Sequence, residues 1–129
     1  MTQGFRPLAP LAAQAADKKK GEDIVLLDVH RLSPVSDYML LVSVTSPAHL
    51  KAIEEEIASA MGAAGVPLLH RDGSDSALWR VLDYGGLLVH LMDPEAREFY
   101  ALEKLYHDAA RRHWEPEPVK KRAKSRASA

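Results

Sequence analysis

The sequence has 129 residues, one ordinary domain's length, and its 47% apolar share supports a hydrophobic core and argues against a chain disordered throughout. It has no cysteine, which excludes disulfide scaffolds, thiol catalysis and cysteine-bound metals. Of 17 Lys and Arg, five (Lys120, Lys121, Arg122, Lys124, Arg126) fall from Val119 onward with no acid among them, so the body keeps 12 against 18 acids, a balance of −6 that suits solubility or a basic partner.

The opening residues MTQGFRPLAPLAAQAADKKK place their lysines after a mild Leu/Ala stretch, the reverse of a secretory signal. No apolar run approaches a membrane span, so a cytoplasmic protein with no membrane partner is expected. Leu8 to Lys20 reads as a helix with Leu8, Leu11, Ala12, Ala15 and Ala16 on one face and Gly21 as its stop. Ile24 to His30 is nearly continuously apolar, as a strand buried on both faces is, and Tyr38 to Val44 is a second such strand beyond a loop of turn formers, LSPVSD. Ser46-Pro47 starts a helix, because serine can cap free backbone N–H groups and proline needs no donor in the first turn. Leu50, Ile53, Ile57, Ala60 and Met61 form its apolar stripe, Glu54-Glu55-Glu56 reads as a charged face, and Gly62 and Gly65 end it. Val66 to His70 is a weaker strand candidate, and Arg71 to Ser76 a turn-rich loop.

WRVLDY and LLVHLM flank Gly85-Gly86, the pattern of a tight hairpin. Asp93-Pro94 then begins a last helix, with Phe99, Leu102, Leu105, Tyr106 and Ala109 at helical spacing. A 1–115 domain followed by a 116–129 basic, disordered tail is expected. The order predicts a single mixed α/β domain, layered αβα, with a sheet of about five strands.

A two-residue turn fixes the hairpin register: Asp83 opposite Leu88, Leu82 opposite Val89, Val81 opposite His90, Trp79 opposite Met92. Because side chains alternate, Leu82, Tyr84, Leu87, Val89 and Leu91 share the core face. The other face mixes Trp79, Val81, Asp83, Leu88, His90 and Met92. Covered by helices, it would need buried partners for Asp83 and His90; open, it would be an apolar patch with polar handles, as partner sites are. The open face is the expectation carried forward.

Asp28, His30, Asp37, Asp83 and His90 could serve a metal or acid–base site, but no spacing among them is specific. RDGSDS begins like a nucleotidyltransferase site, yet the next strand brings one acid rather than a pair. A metal-dependent nucleotidyltransferase-like enzyme is therefore the alternative reading, and the main reading has no enzyme activity, cofactor or metal. Trp114 with Arg111, Arg112 and His113 suits either RNA stacking or a frayed helix end.

Taken together, GEDIVLLDV, LSPVSDYMLLVSVTS, HLKAIEEEI, WRVLDYGGLLVHLM and PEAREFYALEKLY resemble the bacterial ribosomal silencing factors (RsfS/Iojap-like) over roughly residues 8–109. The resemblance implies a nucleotidyltransferase-like shape without that catalysis. It implies binding to large-subunit ribosomal protein L-fourteen on the large ribosomal subunit, steric block of subunit joining, repressed translation in starvation or stationary phase, and a homodimer when free. The family pattern falls on Asp28, Ser33, Ser36, Asp37, Tyr38, Ser46, Trp79, Asp83, Tyr84, Gly85, His90, Pro94, Arg97, Tyr100 and Glu103. Trp79, Asp83 and His90 coincide with the unusual hairpin face; with Leu88, Met92 and Tyr84 they are the candidate partner-binding residues, Trp79 as aromatic anchor, Asp83 toward a basic group and His90 as a hydrogen-bonding group. The turn is Gly-Gly where the family often has Gly-Asp. The basic tail could contact rRNA.

Overall fold

The structure is a computed structural model that describes residues 4–34, 36–73 and 79–116. The elements run α1 (Ala9–Lys18), β1 (Glu22–Asp28), β2 (Tyr38–Ser43), α2 (Pro47–Ala63), β3 (His70–Asp72), β4 (Trp79–Asp83), β5 (Leu87–Met92), α3 (Pro94–Tyr100), α4 (Leu102–Leu105) and β6 (Ala110–Arg111). Among the described residues the strands form one mixed six-stranded sheet, ordered β3-β4-β5-β2-β1-β6. β2 lies at its centre, parallel to β5 and antiparallel to β1, and all six of its residues are buried. That double burial is why the sequence there shows no alternation.

Two apolar clusters sandwich the sheet. α1 and α2 close one face over Leu26, Leu40, Val42, Leu82, Leu87, Val89 and Leu91. α3, α4 and the turn after them close part of the other over Leu27, Val29, Met39, Leu41 and Met92. α2 contributes the expected stripe of Leu50, Ile53, Ile57 and Met61, each fully out of solvent and each stabilising by roughly 2 kcal/mol. α1 packs through Ala9, Ala12, Ala13 and Ala16, small enough to bring it close to α2, while Leu11 points outward, contrary to the expected face. It ends in a Schellman arrangement, Lys20 N–H to the Asp17 carbonyl at 2.9 Å and Gly21 N–H to the Ala16 carbonyl at 2.8 Å. The left-handed residue there is Lys20 rather than Gly21.

Ser46 and Asp93 cap their helices as their chemistry predicts, accepting from His49 N–H at 3.0 Å and Ala96 N–H at 2.8 Å. Three expectations are corrected. The weak strand is His70–Asp72 rather than residues 66–70, because pairing with β4 selects a polar segment that carries no apolar signal of its own. The last helix breaks at Ala101, which adopts φ 49°, so Phe99 and Leu105 do not share an apolar face with Leu102 and Tyr106; both are exposed. Residues 110–114 are neither frayed helix nor free: β6 pairs with Leu27 and Asp28, the Arg112 guanidinium lies 5.6 Å from the Tyr38 ring centroid, and Gln14 donates to the Trp114 carbonyl at 2.8 Å. This strap crosses the β1 edge from one helical layer to the other and closes it to pairing. The basic residues from Lys120 and the loop at 74–78 lie outside the described residues.

The hairpin turn explains its own sequence. Gly85 has φ 96°, as the first central residue of a type II′ turn requires, and Tyr84 N–H donates to the Leu87 carbonyl at 2.9 Å. Gly86 needs no unusual φ; a Cβ there would sit 2.3 Å from the Phe5 ring. Phe5 occupies the space that a side chain at 86 would need. Gly86→Asp is therefore expected to destabilise the domain by about 1–3 kcal/mol. Phe5→Ala in the same chain should recover part of that loss. A double-mutant cycle by thermal melting checks this, and additive effects would exclude the steric account.

Candidate functional site

The β4–β5 register matches the one fixed by the turn, with Trp79 opposite Met92, Val81 opposite His90 and Asp83 opposite Leu88. Leu82, Tyr84, Leu87, Val89 and Leu91 face the α1–α2 cluster. Tyr84, one of the candidate partner residues, is thus a core residue. Its hydroxyl is buried with no hydrogen-bond partner among the described residues, and burial, with a smaller contribution from the Glu54 charge, raises its pKa.

The opposite face is not open along its length. α3 and the residues after it cover the β5-β2-β1 half, so Met92 is 0% exposed and His90 6%. Neither can touch a partner directly. Among the described residues no helix covers the β4-β3 half, apart from the Tyr100 ring of α3 against Trp79. There Trp79, Val81 and Asp83 are half-buried, as is Leu88 of β5 opposite Asp83, and β3 adds exposed His70 and Asp72, which the register places beside Asp83 and Val81 on this face. The result is a narrow strip, apolar along its middle and acidic at Asp72 and Asp83, with a groove at Asp72, Gly73, Trp79 and Val81.

The strip continues onto α3. The Tyr100 ring lies 4.2 Å from the Trp79 ring, tilted by 42°, and Phe99 meets Tyr100 edge-on at 5.0 Å. Phe99 is 78% exposed and Tyr100 48%. Two adjacent aromatics in a helix cannot both face one core, which was the signal in the sequence that at least one points outward.

Under this surface, Trp79 Nε1–H donates to His90 Nδ1 at 3.2 Å. An indole nitrogen can only donate, so Nδ1 accepts and the proton of the neutral ring sits on Nε2. That Nε2 is buried without a partner among the described residues, an arrangement that costs about 1–3 kcal/mol. Burial pulls the His90 pKa down to about 4, so the ring is neutral near pH 7. Asp83 uses one carboxylate oxygen to accept Gly85 N–H at 2.8 Å, which ties it to the turn; the other makes no bond among the described residues. Asp83 is thus both turn-forming and available.

The remaining polar residues hold the frame. Glu54 of α2 pairs with Arg80 of β4 and Arg71 of β3, and Arg80 also donates to the Gly73 carbonyl at 3.1 Å, so this glutamate is a tie between layers rather than part of a solvated face. Asp28 accepts from His30 Nδ1 at 2.5 Å; burial raises its pKa, but the His30 hydrogen bonds and the His30 and Arg112 charges outweigh that and leave it lowered. Among the described residues no group of three or more His, Asp or Glu side chains could hold a metal ion, and Asp28, His30, Asp37, Asp83 and His90 do not converge as one. No helix among them is long and apolar enough to cross a membrane.

The fold is similar to a crystal structure of a protein from Chromobacterium violaceum, 29% identical, which superposes with a TM-score of 0.76 over 80% of this chain and 86% of that one. A family model described as "Ribosomal silencing factor during starvation" (RsfS) matches residues 2–129. The chain belongs to the ribosomal silencing factor family. Among relatives, the ribosomal silencing factor RsfS of Bacillus subtilis is 36% identical over 104 residues, 81% of this chain and 88% of that protein. A mouse relative named "Mitochondrial assembly of ribosomal large subunit protein 1" is 32% identical over 92 residues, 69% of this chain and 40% of that longer protein.

Several residues of the silencing-factor pattern prove to be architectural. Ser46 caps α2, and Ser36 Oγ donates to the Tyr38 carbonyl at 3.2 Å. Arg97, 8% exposed, forks onto Glu103 at 3.0 and 3.1 Å and donates to Ser43 Oγ at 2.9 Å, locking α3, α4 and β2 together across the break at Ala101. Of the pattern's residues, Trp79, Asp83 and Tyr100 gather around one half of the sheet, half-buried or exposed, while Ser46 and Pro94 are exposed at the starts of α2 and α3.

Proposed function

We propose that this silencing-factor chain binds the large ribosomal subunit through ribosomal protein L-fourteen, blocks joining of the small subunit sterically, and so represses translation in the cytoplasm under starvation or in stationary phase. The docking surface is the strip Trp79, Val81, Asp83, Leu88 and Tyr100. The observation that carries this reading is the pairing of a preset aromatic ridge with a carboxylate oxygen that makes no bond among the described residues, on the sheet half that no described helix covers beyond Tyr100. Such a surface suits a partner offering an apolar groove flanked by Lys or Arg. The name of the mouse relative, which refers to the large subunit, agrees with the choice of subunit. The basic residues from Lys120 onward add a salt-dependent contact with ribosomal RNA. A second reading has Phe99, Tyr100 and Leu105, the exposed apolar side chains of α3 and α4, dock a second copy when the chain is free; molecular mass across a dilution series tests it.

The test is co-sedimentation with isolated large subunits, followed by a subunit-joining assay. Binding together with inhibited joining is expected; joining unaffected by excess protein would exclude the reading. Asp83→Asn separates the two roles of Asp83, because the amide oxygen still accepts from Gly85 while the charge is gone. Stability should change by less than about 0.5 kcal/mol. Binding should weaken on the order of tenfold or more, as loss of one member of a close charge pair does. Unchanged affinity at raised and at low salt would remove Asp83 from the interface.

A further inference from the structure

We propose that His90 is a positioning residue for partner recognition: from beneath the docking strip its Nδ1 holds the Trp79 indole in one orientation, and it makes no contact with the partner itself. The recognition half of this inference rests on the docking reading above; the ordering of Trp79 does not.

Three observations carry it. The indole is gripped from two sides, by Tyr100 at 4.2 Å between ring centroids and by the hydrogen bond to His90, whose ring centroid is 6.0 Å away. This is a diagonal cross-strand pair, because His90 lies opposite Val81, two residues along from Trp79. His90 is 6% exposed and covered on the α3 side, so it reaches the surface only through the tryptophan. Finally, its Nε2 is buried and has no partner among the described residues. A leucine of similar bulk would leave no orphan donor there, so fold stability alone does not account for an imidazole. Burial holds the ring unprotonated through the neutral range, so Nδ1 remains an acceptor there.

A large aromatic anchor binds best when its rotamer is fixed beforehand; otherwise ordering it on binding weakens the complex by about two- to tenfold. His90→Leu removes the acceptor and the orphan donor together. His90→Asn restores an acceptor near the position of Nδ1. The chain has two tryptophans, so the Trp79 indole N–H resonance is assigned in a ¹⁵N spectrum by comparison with Trp114→Phe. His90→Leu should move and broaden the Trp79 resonance, leave the melting temperature unchanged or higher, and weaken binding to isolated large subunits about two- to tenfold. His90→Asn should recover both the resonance and the affinity. An unmoved, sharp indole signal in His90→Leu overturns the proposal. So does equal weakening in both variants in step with a lowered melting temperature, which would make His90 structural. If the unaltered chain does not sediment with large subunits, the docking reading falls and the recognition role with it, while the indole resonance still decides whether His90 orders Trp79.

Discussion

Trp79→Ala should weaken association with isolated large ribosomal subunits by about 30-fold or more, the loss typical of truncating a central aromatic anchor. The indole supplies the ridge of the strip and is held by Tyr100 and His90, so its removal takes away contact area and leaves the Tyr100 ring without its stacking partner. Because Trp79 is half-buried, the variant also loses some stability, and Trp79→Phe is the control. It keeps a ring over Tyr100 but lacks the N–H, and should fall between the two in affinity. Sedimentation with large subunits at fixed salt gives the ranking. Equal binding by all three chains would remove the strip from the interface.

The second large effect is on the fold. Glu103→Ala strands the Arg97 guanidinium, buried at the break between α3 and α4, with Ser43 its one remaining side-chain partner among the described residues. Breaking a buried pair from one side costs about 3–5 kcal/mol, and the partial exposure of Glu103 lowers this to about 2–4 kcal/mol. That corresponds to a fall in melting temperature on the order of 10 °C. The Arg97 hydrogen bonds lower the Glu103 pKa; burial opposes them, and the Arg97 and Arg111 charges add to them. A carboxylate with a depressed folded pKa contributes stability that is fully present above its unfolded value and is lost as pH falls through the folded one. Acid should therefore begin to destabilise the domain below the ordinary glutamate value of 4.5, and the decline should be shallower in Glu103→Gln. Asp28, also lowered, adds to the same acid limb. Melting temperatures from pH 3 to pH 7 check this; parallel profiles for the two chains would exclude the assignment.

Local chemistry made part of this molecule legible. Ser46-Pro47 and Asp93-Pro94 mark helix starts because capping is decided within four residues, and Gly85 fixes the hairpin register because a two-residue turn leaves no freedom. The identity of the core face, Leu82 through Leu91, followed from that register alone. Other features depend on what packs against what. His90 and Met92 are on the expected face, yet they are buried because α3 lies over β5, which no property of the hairpin reveals. His70–Asp72 is a strand only by virtue of β4 beside it, and the Glu54 tie joins residues 17 and 26 positions apart. The break at Ala101 is held by Arg97 and Glu103, six positions apart, where an unbroken helix was the simpler reading of the spacing. The candidate site was thus legible as a face of the hairpin, while the covering of half that face by α3 was not.

The place of β2 has a consequence for how the chain folds. Its parallel partner β5 begins at Leu87, opposite Tyr38, so the central seam joins segments 49 positions apart in sequence (87 less 38). A parallel pair needs a long crossover, and closing that loop comes before the pairing can return any stabilisation. The β4–β5 hairpin and α2 are local and can form early, but β1 and β2 have an incomplete core until β5 arrives. Formation of the β2–β5 seam is therefore expected to set the folding rate, with Leu40, Leu41 and Val89 in the transition state. A growing chain cannot complete its core before Met92 has been added and is free to pair.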